Sequence, residues 1–182
     1  ATSNDTQANM IINQIIKSGL SYDESAFHDA YTLAVQKYGM VNAYLKVIYP
    51  MLVRLGLMWN KQDLVPSQEH FISNLIKQKL FSAINEIPEP SASAESWALL
   101  LPEEEDHEIG LLLSSFILRS NGKKVYYLGQ RVPYSSVESF IESKSPDNLH
   151  FFMVKNHSAN KAQKIIDQLE EYSKRVSVYI SG

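Results

Sequence analysis

The chain has 182 residues, 45% of them hydrophobic, with Lys+Arg 17 against Asp+Glu 20 and no cysteine. That length holds one large domain or two small ones. The formal net charge of -3 gives no long-range attraction to nucleic acid, no Lys/Arg cluster builds a phosphate-binding face, and the missing cysteines exclude disulfides and thiolate metal sites.

The polar start, residues 1–7, resembles neither a signal nor a transit peptide and reads as a linker from something upstream. No apolar run approaches the roughly 20 residues needed to span a bilayer, so no membrane contact is expected. With no cysteine, a cytoplasmic location fits. Met10, Ile11, Ile12, Ile15 and Ile16 recur at helical spacing and predict a helix over about 8–17, with Gly19 as a stop. A second helix, 24–38, sets Phe27, Tyr31, Ala34, Val35 and Tyr38 on one face and ends at Gly39. A third begins near Val41 and carries Leu45, Val47, Ile48, Leu52, Val53 and Leu55; Pro50 inside it predicts a kink or a local loss of hydrogen bonding. After Leu57-Met58-Trp59 comes a polar turn, 60–64. The fourth helix opens at Pro66-Ser67-Gln68-Glu69, where an early proline and an acidic first turn favour a helix N-terminus, and runs to about Ile87. Four amphipathic helices with short connections predict a bundle over 1–88.

Residues 88–94, Pro-Glu-Pro-Ser-Ala-Ser-Ala, are a linker by composition. Beyond it the period changes. Strands are predicted at 97–101, 124–128, 149–154 and 176–180, with helices at 108–120, 134–143 and 160–174. Alternation at this spacing predicts a parallel sheet, a Rossmann-like domain over 96–182. A doubly wound domain usually adds a fifth strand and a last helix, so a C-terminal truncation is expected.

Three constellations could carry chemistry. Glu105-x-His107-x-x-Gly110 stands between the first strand and its helix, at the edge where open α/β sheets bind ligands. An imidazole there can bind metal through one nitrogen while a carboxylate holds the other; a surface histidine in an acidic loop is the plain alternative. Trp59, then nine residues, then Glu69-His70 places an indole at the end of one helix and an acid–imidazole pair at the start of the next. All three can gather at one end of the bundle, although singly the tryptophan reads as core and Glu69 as a helix-terminal charge. Tyr127-Leu128-Gly129-Gln130-Arg131-Val132-Pro133 follows the second strand, Gly129 letting the chain turn; an ordinary strand-to-helix turn explains it equally well. His28 falls on a helix surface, His150 in a strand and His157 in a loop. No HExxH, GxGxxG, P-loop or GxSxG pattern occurs, so zinc proteolysis, dinucleotide binding, phosphoryl transfer and α/β-hydrolase chemistry lack support.

Together these motifs resemble the cobalamin-binding module of MerR-type light- and cobalamin-responsive transcriptional regulators, over nearly the whole chain. The resemblance implies a four-helix bundle followed by a Rossmann-like (flavodoxin-like) domain, with cobalamin, adenosylcobalamin above all, held between them. It implies His107 as lower axial ligand to cobalt, oriented by Glu105. Gly110 and Gly129 belong to the cofactor-binding loops, and Trp59, Glu69 and His70 cap the upper face. No catalytic residue is implied. In the family the cofactor controls oligomeric state and, through an attached helix-turn-helix head, DNA binding; here that head would lie upstream, so the chain reads as the sensor half and a homo-oligomer. Three positions depart from the pattern. Met153, beside Phe151 and Phe152, stands where a serine bonds the nucleotide tail. Asn60 follows the tryptophan where light-responsive members can carry histidine, and Ser181-Gly182 takes the place of a glycine pair. These departures keep open a cofactor-free oligomerisation module; the His107 loop also suits a corrinoid methyl carrier.

Overall fold

The computed structural model describes residues 3–182, with side chains from Thr6 onward. The chain divides into two units, the first ending at Gln78 and the second spanning Lys79–Gly182.

The first unit is helical. α1 (Ser3–Leu20) and α2 (Glu24–Tyr38) are followed by α3 (Met40–Ala43), a π-helical turn (Tyr44–Ile48), α4 (Tyr49–Asn60) and α5 (Pro66–Asn85). Ala43 and Ile48 keep right-handed helical dihedrals at the junctions, so 40–60 is one continuous rod and the unit is made of four. Ile11, Ile12 and Ile15 of α1, Phe27 and Ala34 of α2, Val47, Met51 and Leu55 of the third rod, and Ile72 and Ile76 of α5 form its buried interior. These are the helix-spaced apolar positions of the sequence, turned inward as amphipathicity requires.

Two expectations are corrected here. α1 starts at Ser3, ahead of position 8, so most of the polar lead-in is helical; Ala1 and Thr2 lie outside the described residues. It also passes through Gly19, whose missing side chain admits Ile72: a Cβ there would lie 2.2 Å from the isoleucine's Cγ1 and Cδ1. The chain turns only afterwards, and Asp23 caps α2 by accepting the Ala26 N–H at 2.9 Å, the role its short carboxylate suits. Pro50 resolves the other way from a sharp break. The Tyr49 N–H reaches back to the Tyr44 carbonyl, so one wide turn absorbs the proline, whose ring would otherwise meet the carbonyl four residues earlier.

The second unit holds β1 (Ser96–Pro102), α6 (Glu108–Ser120), β2 (Lys124–Val132), α7 (Tyr134–Lys144), β3 (Asn148–Phe152), α8 (Ala159–Ser173) and β4 (Ser177–Ser181). The four strands are parallel, in the order β2-β1-β3-β4. Alternation along β1 sends Ala98 and Leu100 into one layer with Val137 and Ile141 of α7 and Ile165 and Leu169 of α8. Leu99 and Leu101 enter the other, with Leu111 of α6. A strand covered on both faces must be apolar throughout, which is why 97–101 is an unbroken hydrophobic run.

β2 runs past its predicted end. Gly129 (φ 82°) and Arg131 (φ 53°) take left-handed conformations, and the pairing with β1 slips between Leu99 and Leu100 and again before Pro102. The glycine is therefore not a turn out of the strand. It sits in a bulged stretch that carries the strand on to Val132. Among the described residues no helix is long and apolar enough to cross a membrane.

Candidate functional site

β1 is flanked by β2 on one side and β3 on the other. The connection leaving β1 runs to β2 on one side and the one leaving β3 runs to β4 on the other, so the loops after these two strands part at the C-terminal edge, the switch point where open sheets bind ligands. The loop at that point carries Glu105 and His107, and His107 is the residue that caps the start of α6.

Glu105 is 1% exposed, and its two oxygens are fully engaged. Oε2 accepts the backbone N–H groups of Val154 and Lys155, both at 2.8 Å. Oε1 accepts those of Asp106 at 3.1 Å and His107 at 3.3 Å, together with the His107 imidazole through Nδ1. Burial alone would raise the carboxyl's pKa; the Lys155 N–H, the imidazole and the Val154 and His107 N–H groups outweigh it and hold the group down at about 2. An ionised carboxylate only accepts, so Nδ1 carries the proton. That fixes the tautomer and leaves Nε2 without a proton, as an acceptor on a ring whose side chain is 52% exposed.

Glu105, Asp106 and His107 offer ligand atoms within 4.8 Å of one another, the geometry of a candidate metal group. The partners already present decide how many are available. Asp106 pairs with Arg131 at 3.0 Å and Lys155 at 3.1 Å, and against the opposing effect of burial those contacts lower its pKa. Glu104 pairs with Lys161 at 2.5 Å. The cations come from the ends of β2 and β3 and the start of α8, so the acidic run is neutralised by the neighbouring loops. One donor is left, His107 Nε2. A single imidazole does not make a tetrahedral protein site. It suits a metal that arrives inside a macrocycle needing only an axial ligand.

Two glycines flank the loop. Gly110 is buried in the first turn of α6, and a Cβ there would lie 2.0 Å from Phe152 Cζ. Gly129 lies beside Glu108, whose Oε1 accepts Tyr127 Oη at 3.0 Å and whose Oε2 accepts Gln130 Nε2. Burial, followed by the Glu108 charge and hydrogen bond, raises the Tyr127 phenol pKa.

In the helical unit, Glu69 Oε2 pairs with His70 Nδ1 at 2.6 Å, and Ser73 Oγ donates to Glu69 Oε1. Trp59 stands 45% exposed in the last turn of α4, joined to α5 by residues 61–65, where buried Leu64 and the Gln62 N–H bond to the Trp59 carbonyl set the turn. Glu69 and His70 are thus brought together, and Trp59 faces solvent rather than core. His150 is buried in β3, its pKa lowered by that burial, and meets Ser181 Oγ at 2.6 Å.

The sequence reading missed the Val154 and Lys155 N–H groups and Lys161; it named Arg131 within the 127–133 stretch without its pairing to Asp106, and Phe152 beside Met153 without its contact at Gly110. Only the acidic run gave a signal for the cations, since such a loop at a sheet edge needs countercharges.

Residues 11–82, within the helical unit, match the B12 binding domain family, and cobalamin is the cofactor this likeness supports. The chain is 27% identical over 163 residues to the HTH-type transcriptional repressor CarH of Myxococcus xanthus, covering 89% of this chain and 54% of that protein; it spans about half the length of that relative. The structure of the monomethylamine corrinoid protein of Methanosarcina barkeri superposes with a TM-score of 0.67 at 18% identity, covering 96% of this chain and 80% of that one. The fold is therefore that of corrinoid-binding proteins, helices followed by a Rossmann-like parallel sheet.

Proposed function

We propose that this chain is the cobalamin-binding sensor module of a transcriptional regulator, cytoplasmic and oligomeric, acting on DNA through an attached helix-turn-helix head. The observation that carries the reading is the Glu105–His107 clamp at the switch point of the sheet, which presents one imidazole nitrogen while Asp106 and Glu104 are paired with cations. The likeness to a helix-turn-helix repressor supports the regulatory part. When bound, cobalamin supplies a cobalt centre whose axial positions exchange ligands.

The chain's own residues divide the work. Glu105 keeps the proton on Nδ1 and raises the basicity of Nε2, so His107 is an orientated axial donor rather than a freely rotating ring. Gly110 and Gly129 keep backbone close on either side of the loop. In this reading Trp59, exposed on α4, would shield the upper face of the corrin with its indole, and Glu69 and His70 would hydrogen-bond the group bound there. Residues of both units would hold the corrin, with adenosyl as the group on its upper face. The functional boundary falls in the linker before 96, with a bundle over 1–88.

Gel filtration after mixing with adenosylcobalamin in the dark tests the reading: corrin absorbance comigrates with the protein, and His107→Ala weakens retention by tenfold or more (about 1.4 kcal/mol) and shifts the bound spectrum. Corrin eluting apart from the unaltered chain would sink it. Two other readings have observations behind them. Phe152 filling the space at Gly110 favours a cofactor-free oligomerisation module, and the fold likeness to a corrinoid protein favours a methyl carrier, which methyl transfer with a partner enzyme would reveal.

A further inference from the structure

Cobalamin carries a nucleotide base tethered to the lower face of its corrin, and that base competes for the lower axial vertex. An octahedral metal accepts one ligand there. If His107 takes it, the base must be set aside on the same face, against the unit that bears His107. The elements beside the His107 loop are the first turn of α6 and the end of β3, and between them Gly110 leaves a recess no other residue would leave. That recess is filled. The Phe152 ring lies where a Gly110 side chain would begin, with Cζ at 2.0 Å and Cε1 and Cε2 at 2.6 and 2.5 Å from the position of an added Cβ. Phe152 is also packed into the layer of Leu99, Leu101 and Leu111. Protein interiors packed in this way contain few voids larger than a water molecule, so a displaced base finds no room there while Phe152 stays in place.

We propose that Phe152 is a specificity-determining residue that closes the recess at Gly110 against the nucleotide base, so that this chain favours corrinoids lacking the nucleotide over complete cobalamin. The inference rests on the cobalamin reading above.

The test compares cobinamide, which has no nucleotide, with cobalamin on the full chain, following retention and the absorption change on His107 ligation. The unaltered chain holds cobinamide about tenfold more tightly. Removing an internal competitor for the axial vertex would by itself favour cobinamide, so the ratio in Phe152→Ala decides the matter. Opening the recess improves cobalamin binding about tenfold and leaves cobinamide unchanged. Phe152→Leu, which keeps the apolar contact with less bulk, moves the ratio the same way by less and serves where the alanine variant does not fold. A ratio unaltered in a folded variant overturns the proposal, as does cobalamin held more tightly than cobinamide by the unaltered chain; both leave the cobalamin reading standing. Failure to retain either corrinoid removes both.

Discussion

Replacing Glu105 by alanine removes the acceptor of the Val154 and Lys155 N–H groups as well as the partner of His107 Nδ1. Val154 and Lys155 are exposed residues whose freed N–H groups can reach water, so each lost bond costs about 1 kcal/mol and Glu105→Ala lowers unfolding stability by roughly 2 kcal/mol in urea, whereas His107→Ala, at a half-exposed ring, changes it by less than about 1 kcal/mol. The same carboxylate sets a pH dependence. Its folded pKa is depressed from 4.5 to about 2, so its stabilisation is present above the unfolded value and is lost as pH falls through 4.5 towards 2. At roughly 1.4 kcal/mol per unit the linkage is about 3 kcal/mol. Urea midpoints measured between pH 7 and 2.5 should fall more steeply below 4.5 for the unaltered chain than for Glu105→Gln; parallel curves would refute the assignment. The carboxylate–imidazole pair was legible in the sequence because its members are two residues apart. Its other half was not: Val154 and Lys155 act through backbone N–H groups about fifty positions away, and any residue type except proline supplies those.

Elements were legible wherever burial imposes a period, and illegible where one residue overrides it. The apolar runs of β1 and α6 announced themselves, as did the helix start at Pro66. Gly19 marks the end of α1 to within one residue, since the helix stops at Leu20, but its role as the contact point of α1 on Ile72 of α5 was not legible. Gly129 misled, marking a bulge rather than a turn. The Gly19 reading yields a sign test. In a helix interior, glycine to alanine should stabilise by about 1 kcal/mol. With Ile72 fully buried at 2.2 Å from the new methyl, overpacking costs typically 1–3 kcal/mol and wins. Gly19→Ala therefore lowers the urea midpoint, and pairing it with Ile72→Val restores part of the loss. A midpoint that rises in the single variant would show that α1 ends before this contact matters.

For the molecule as a whole, the question is whether one ligand engages two separately built units. Between α5, which ends at Asn85, and β1, which begins at Ser96, the described chain has neither helix nor strand, and Ser91, Ala92 and Ser93 are exposed. The composition of this stretch showed it in the sequence; a joint role for the units entered only through the family resemblance, because no local pattern encodes a ligand that would be shared across a linker. Elastase, which cleaves after small residues, should cut after Ala92 or Ala94 and release two fragments. A ligand that binds only the intact arrangement shifts the population away from cleavable forms by mass action. At a cobalamin concentration one hundred times its dissociation constant the protection corresponds to about 2.7 kcal/mol, enough to slow cutting many-fold wherever cleavage requires the units to part. His107→Ala should lose that protection, since it removes the donor on one unit while leaving the linker untouched, and Trp59→Ala should lose it from the other. If the cut fragments elute apart on gel filtration in saturating cobalamin, with the corrin on one of them, the cofactor belongs to one unit alone, and control of assembly through the corrin has no physical route in this chain.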